Sequence, residues 1–172
     1  MKEIYLIANN RSFDPKKLDQ KENSMANFVG KLKNEFVCHF NKALFRDFVE
    51  PNNINYLMLA LFTFGDGGYF GSNTTKQYDK HYFCCTNKNF LTLDPWLSTR
   101  NKFENVECVI LSNYPYPPGK FRSVGYTAIK FFEPLFDKIN LVGFNFSGDK
   151  CHNWEFEKNY ALNNKQIVII DP

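Results

Sequence analysis

His152 is the residue whose type and position most clearly suit chemistry, because it stands just before a predicted helix over 153–163. Beside the positive end of a helix dipole an imidazole is held neutral near pH 7, the state that a general base requires. Glu155 and Glu157 add negative charge to the first turn. A surface histidine beside a helix-stabilising acidic turn is the simpler interpretation. On a continuous helix, His152 and Glu157 would point roughly 140° apart and would not share one face.

A second candidate segment leads into a predicted helix over 124–133. Ser123 can cap the first amides of that helix, and Gly125 would let a ligand approach the backbone. Lys120 and Arg122 lie close to the positive helix end, which would suit a phosphate group. Local sequence alone favours an ordinary helix cap, so this segment indicates an anion site only in combination with other residues.

Two further loops are candidates for nucleotide sites. The loop 9–12 follows the first apolar run but lacks the Gly-x-Gly-x-x-Gly fingerprint. That lack weakens a nicotinamide or flavin interpretation without excluding other nucleotides. The stretch 65–71 is rich in glycine but lacks the Gly-Lys-Ser/Thr ending of a phosphate-binding loop, so a mobile turn is the better interpretation there.

Seven apolar runs predict the strands that must position these residues. They are 4–8, 36–38, 56–61, 82–85, 106–111, 139–144 and 167–170. Several runs are continuous rather than alternating, as expected of strands covered on both faces. Helices are predicted over 15–33, 124–133 and 153–163, the first with Asp14 as its cap and Pro15 at its first position. This alternation predicts an α/β fold with a mostly parallel, Rossmann-like sheet, helices on both faces and a ligand site at the carboxyl ends of the strands.

Length and charge narrow the classes of protein. The 172 residues are enough for one domain around a single core. The net charge is only +3 and the basic residues are scattered, which argues against nucleic acid as a partner. No apolar stretch approaches the ~20 residues of a membrane span, and the start of the chain does not resemble a signal sequence. We therefore expect a cytoplasmic protein without a transmembrane segment.

The cysteines predict neither a disulfide framework nor a structural zinc site. Their number is odd and none are spaced as Cys-x-x-Cys. The five are Cys38, Cys84, Cys85, Cys108 and Cys151. The pattern favours free, buried thiols.

Taken in order, the polar segments resemble the sialyl motifs of the animal-type sialyltransferases. Residues 4–10, a strand ending in Asn-Asn, and 36–43, ending in Asn-Lys-Ala, resemble the large motif with its Gly-Asn-Ser and Asn-Lys-Ala. Residues 123–125 with 139–144 are similar to the small motif, which has Ser-Thr-Gly and a terminal Tyr-Gly-Phe. Residues 152–157 match the very short His-x-x-x-x-Glu motif.

The resemblance implies a Rossmann-like, inverting glycosyltransferase that takes a CMP-sugar as donor substrate and requires no metal or cofactor. It implies that His152 is the general base and that Glu157 supports it. The residues it places beside the CMP moiety are Asn9, Asn10, Asn41, Ser123, Val124 and Gly125. The family's third motif, a His/Tyr-rich segment, has no counterpart, so phosphate contact would fall to Lys120, Arg122 or Lys150.

The leading hypothesis is a sialyltransferase-like enzyme of polysaccharide biosynthesis in the cytoplasm. It would move sialic acid, or a related keto-sugar acid such as Kdo, from the CMP donor to a glycan or glycolipid hydroxyl, with peripheral contact to the inner face of the membrane. Because the chain is short for this family, a catalytically inactive nucleotide-binding or partner-binding module of the same fold is the alternative. A third interpretation is another Rossmann-like enzyme, such as a methyltransferase that prefers S-adenosylmethionine.

Overall fold

A computed structural model describes residues 1–8, 20–41, 43, 45–60, 78–85 and 106–172. Several predicted features lie outside these residues. They are Asn9, Asn10, the helix start at Asp14 and Pro15, and the glycine-rich stretch 65–71.

Each of the seven predicted apolar runs forms a strand. The strands are β1 (Glu3–Ile7), β2 (Phe36–Phe40), β3 (Ile54–Ala60), β4 (Lys80–Cys85), β5 (Val106–Ile110), β6 (Lys138–Val142) and β7 (Ile167–Ile170). They form one parallel sheet in the order β5-β4-β3-β2-β1-β6-β7. The prediction of an α/β, Rossmann-like fold with a parallel sheet is therefore confirmed.

Three α-helices are described. They are α1 (Gln20–Val29), α2 (Val124–Phe132) and α3 (Trp154–Asn163). α1 ends earlier than predicted, and the next residue is Gly30, which has low helix propensity. α2 ends with Glu133 as its C-cap, because the following Pro134 has no amide proton to continue the hydrogen-bonding pattern.

The two faces of the sheet are covered by different helices. On one face, α1 packs against β1, β2 and β6, through Met25, Ala26, Val29, Ile7, Val37 and Val142. On the other face, α2 and α3 pack through Ala128, Ile129, Phe132, Ala161, Ile4, Leu6 and Cys38. This division follows from right-handed crossovers, since β1 leads to β2 on one side and β6 leads to β7 on the other. Strands covered on both faces must be apolar on both faces, which explains the continuous runs in the sequence.

A polar cluster fixes α2 against α3. Lys130 Nζ lies 2.6 Å from Glu133 Oε2 and 2.6 Å from the Tyr160 hydroxyl oxygen. The Tyr160 hydroxyl also donates to Glu133 Oε1. Both helices begin at the carboxyl edge of the sheet, α2 following β5 and α3 following β6. The cluster therefore helps to hold the two helix N-termini, where the candidate residues lie, in fixed relation.

The cysteines are only partly as predicted. Cys38 and Cys84 are free and buried, which confirms the prediction for these two. Cys151 is free but exposed, and Cys108 is disulfide-bonded, so the prediction is wrong for both. Cys151 lies in a surface turn rather than in a strand, and a disulfide partner is set by the fold rather than by spacing along the chain.

The helices within the described ranges are too short to cross a bilayer. α1 and α3 have 10 residues each, whereas a span needs about 20 apolar residues.

Candidate functional site

The sheet has a topological switch point between β1 and β6. These neighbouring strands pair in register from Glu3 and Lys138 to Ile7 and Val142, and their following connections leave in opposite directions. In open α/β sheets such a point opens a crevice outside the carboxyl ends of the strands, where ligands bind. The amide of Ala8 donates to the Val142 carbonyl at 3.0 Å, so the pairing of β1 with β6 extends to this edge of the sheet.

Glu157 is buried and holds the start of α2. Its side chain is only 2% exposed. Glu157 Oε1 accepts the Ser123 amide proton at 3.0 Å, and Oε2 accepts the Ser123 hydroxyl proton at 2.5 Å. The same hydroxyl oxygen accepts from the Tyr126 amide at 2.9 Å, so Ser123 is the helix cap that the sequence predicts. The Ser123 side chain is thus fully engaged inside the protein.

Tyr116 completes this network, although no sequence pattern predicts a role for it. Its hydroxyl donates to Glu157 Oε1 at 2.7 Å and accepts from the Asn153 amide at 2.9 Å. Burial, and next the hydrogen bond to the Glu157 carboxylate, raise the pKa of Tyr116 well above its usual range. Tyr116 therefore stays neutral and ties together the starts of α2 and α3.

His152 precedes the cap of α3 and has a fixed orientation. The cap itself is Asn153, whose side chain accepts from the Phe156 amide at 3.1 Å. His152 Nδ1 lies 2.7 Å from the Phe121 carbonyl oxygen. A carbonyl oxygen can only accept, so we assign the proton to Nδ1, which leaves Nε2 as the acceptor nitrogen of the neutral ring. This is the tautomer that a general base acting through Nε2 requires.

Two short segments run side by side to place His152. The Phe121 amide donates to the Cys151 carbonyl at 2.8 Å, and Lys120 Nζ donates to the Lys150 carbonyl at 2.7 Å. Of the predicted phosphate-binding residues, Lys120 is thus bonded to the backbone of Lys150, two residues before His152. Arg122 is placed differently: its Nε donates to the Tyr114 carbonyl at 2.8 Å.

Two backbone amides at the N-terminus of α2 are candidates to bind a ligand. In the described part of the chain, the amides of Val124 and Gly125 make no hydrogen bond. A Cβ atom on Gly125 would lie 2.7 Å from Cε1 of the Phe144 ring, so the two halves of the small-motif resemblance are in contact. The nearby Glu157 carboxylate already offsets the positive end of this helix dipole. An incoming anion would therefore meet a partly compensated helix end.

Asn41 lies at the same edge of the sheet. It follows β2 directly, its amide donates to the Met58 carbonyl at 3.1 Å, and its φ is 46°. Asparagine tolerates this left-handed conformation better than most residues, which is a structural reason for its presence. The adjacent Phe40 ring meets the Phe144 ring edge-on at 6.1 Å, and Phe144 packs on Gly125. The end of β2 that precedes Asn41 is thus linked, through Phe40 and Phe144, to the start of α2.

The predicted site residues that the structure describes lie at the carboxyl edge of the sheet. Their hydrogen bonds divide them into two groups. Ser123 and Glu157 are bonded to each other, and His152 is bonded to Phe121 rather than to Glu157. Glu157 could have been recognised as buried from its spacing, since it lies four residues before the buried Ala161 on the inner face of α3.

Comparison of the chain with protein-family models, curated proteins and solved structures found no match in any of the three.

Proposed function

We propose that the protein is a sialyltransferase-like glycosyltransferase that works with inversion and needs no metal for transfer. It moves sialic acid or a related keto-sugar acid from a CMP donor to a glycan or glycolipid hydroxyl, in the cytoplasm and peripheral to the inner face of the membrane. One observation carries the proposal: the Phe121 carbonyl holds His152 Nδ1 at 2.7 Å, beside the start of α2 at the carboxyl edge of the sheet. This bond leaves Nε2 to accept a proton.

The proposed reaction is a single displacement. His152 Nε2 takes the proton of the acceptor hydroxyl while that oxygen forms a bond to the anomeric carbon of the donor sugar. The bond between this carbon and the CMP phosphate oxygen breaks, and its electron pair leaves with the phosphate. The amides of Val124 and Gly125, with the ammonium of Lys120 nearby, stabilise the charge that develops there.

In this proposal Glu157 and Tyr116 are positioning residues. Neither has a polar group left over for a substrate. The Glu157 carboxylate accepts hydrogen bonds from Ser123 and Tyr116, and the Tyr116 hydroxyl also accepts one from the Asn153 amide. Together they set the distance between the start of α2, where CMP would lie, and the start of α3, where His152 lies. Their loss should therefore lower transfer by misplacing the imidazole rather than by removing a reacting group.

The test is transfer from CMP-sialic acid and from CMP-Kdo to a panel of oligosaccharide and glycolipid acceptors, with release of CMP as the readout. His152→Ala should lower transfer by about 10²-fold or more, the usual contribution of a general base. Glu155→Gln is the matched control, because this exposed carboxylate lies in the first turn of α3, close to His152 in sequence, and its loss should leave the rate unchanged. Undiminished transfer by His152→Ala would defeat the assignment of the base.

A second function, a nucleotide-binding or partner-binding module without catalysis, is favoured by the Glu157–Ser123 contact. The Glu157 carboxylate occupies the amide and the hydroxyl of Ser123, two hydrogen-bond donors at the start of α2 that a departing phosphate would need. A thermal-shift screen against CMP, CDP, UDP, GDP and S-adenosylmethionine separates the classes, since a ligand at 100 times its Kd adds about 2.7 kcal/mol of stability. CMP binding without transfer supports the module, and a preference for S-adenosylmethionine supports a methyltransferase.

A further inference from the structure

Three side chains with different metal-binding atoms converge in one surface turn. A carboxylate oxygen of Asp149, the sulfur of Cys151 and a ring nitrogen of His152 all lie within 4.8 Å of one another. The set combines thiolate, imidazole and carboxylate, the three ligand types that Zn²⁺ takes in proteins. Asp149 and Cys151 are exposed, so an ion in the solvent can reach both side chains.

The backbone of this turn is held by its own hydrogen bonds. The His152 amide donates to the Asp149 carbonyl at 3.2 Å, which closes the turn. The Trp154 indole nitrogen donates to the same carbonyl at 3.0 Å. The backbone of the three ligand-bearing residues is therefore held in place before any metal arrives, which lowers the conformational entropy lost on binding.

The orientation of His152 is a second, independent indication. Metal-binding histidines almost always donate their other ring N–H to a carbonyl or carboxylate, which fixes the ring and points the remaining nitrogen at the metal. His152 Nδ1 does this with the Phe121 carbonyl at 2.7 Å. The Trp154 ring packs edge-on against the imidazole at 4.9 Å between ring centres, which restrains it further.

We propose that Asp149, Cys151 and His152 bind one Zn²⁺ ion, with His152 contributing Nε2 and water completing the coordination. On binding, the Cys151 thiol releases its proton to solvent, so the carboxylate and the thiolate balance the charge of the ion. The site goes beyond the proposed transferase and does not depend on it. Because the ion would occupy Nε2, a zinc-bound chain cannot use His152 as a base.

The test uses the full-length, untagged chain and Co²⁺ as a spectroscopic probe for Zn²⁺. We expect one Co²⁺ per chain, with a thiolate-to-cobalt charge-transfer band that one equivalent of Zn²⁺ abolishes. Cys151→Ser should remove that band and weaken Zn²⁺ binding at least about tenfold, since altering even an outer-shell partner costs 10–100-fold. Asp149→Asn should keep the band and weaken binding by a similar factor.

Glu155→Gln is the matched control, because it removes an exposed carboxylate near the turn but outside the cluster. It should bind Zn²⁺ like the unaltered chain. Circular dichroism of each variant shows whether it is folded, and all altered residues are exposed. Equal Zn²⁺ affinity in Cys151→Ser, or no charge-transfer band in the unaltered chain, would overturn the proposal. Neither result bears on sugar transfer, which is measured with a chelator present.

Discussion

The carboxylate of Glu157 and the cap residue Ser123 form a two-point contact across 34 positions of sequence. Glu157 takes both the amide proton and the hydroxyl proton of Ser123, at 3.0 Å and 2.5 Å. A buried carboxylate with several donors is stable only while those donors are present. The contact therefore joins α2 to α3 and makes the candidate site depend on a residue that is too buried to touch a substrate.

Glu157→Ala should destabilise the protein strongly. The substitution leaves the Ser123 amide, the Ser123 hydroxyl and the Tyr116 hydroxyl without their acceptor in a buried setting. Hydrogen bonds to charged groups contribute more to stability than those between neutral groups, so we expect a loss of about 3 kcal/mol in the free energy of unfolding. Urea denaturation monitored by circular dichroism measures it.

Glu155→Ala provides the comparison for this variant. It removes an exposed carboxylate from the same first turn of α3, so its effect should stay within about 0.5 kcal/mol. Equal effects of the two substitutions would mean that the buried network contributes nothing beyond the helix dipole.

Gly125→Ala should destabilise the protein even though alanine favours helices. The helix-propensity gain is at most about 1 kcal/mol. The new Cβ would lie 2.7 Å from the Phe144 ring, and relieving such an overlap typically costs about 1–3 kcal/mol. We expect a net loss of about 1 kcal/mol, measured by urea denaturation.

The Phe144→Leu background separates this contact from a ligand-binding role of Gly125. With the ring removed, the added methyl group finds space and Gly125→Ala should become neutral or stabilising. The difference between the two backgrounds is the coupling energy of the pair. If Gly125→Ala lowers CMP affinity in both backgrounds while stability recovers, the glycine also serves ligand approach.

The strands could be predicted from the sequence because each is buried on both faces and leaves a continuous apolar run, as in Leu57 to Leu59. The order of the strands could not, since it depends on pairing between distant segments. The cap at Ser123 and the place of His152 before α3 were also predictable, because capping is a local property.

The buried partner of Ser123 was not predicted, and the reason is physical. A glutamate in the first turn of a helix ordinarily faces solvent and interacts with the dipole. Glu157 instead faces inward, and its two partners come from segments before α2, which only the folded sheet brings close. Tyr116 was missed for the same reason, since its neighbours in sequence are prolines that indicate a stiff connection.

Stability should fall as the pH rises above about 10. Among the described residues, eight tyrosines have a raised pKa, and in each the largest cause is burial, which disfavours the phenolate: Tyr5, Tyr56, Tyr78, Tyr82, Tyr114, Tyr116, Tyr126 and Tyr160. In the unfolded chain they ionise near pH 10, whereas in the folded state they remain protonated. The folded state then binds more protons, so the free energy of unfolding decreases with rising pH.

Urea midpoints at pH 8, 9.5 and 10.5 test this dependence. The midpoint should change little between the first two values and drop at the third, and tyrosinate absorbance should appear together with unfolding. Tyr116→Phe should show a shallower drop, because one of the contributing groups is gone. A midpoint that holds steady well past pH 10.5 would contradict the assignment.

Thiol labelling should distinguish Cys151 from the buried cysteines. Burial raises the pKa of Cys84 to about 12 and that of Cys38 well above its usual range, so neither forms a thiolate near pH 8 or meets a reagent. Cys151 is free and exposed in the turn beside His152.

With a chelator present, iodoacetamide at pH 8 should modify Cys151 rapidly. It should modify Cys38 and Cys84 only at a urea concentration that unfolds the chain. Peptide mapping by mass spectrometry assigns each site. Early labelling of Cys38 would mean that the face covered by α2 opens without global unfolding.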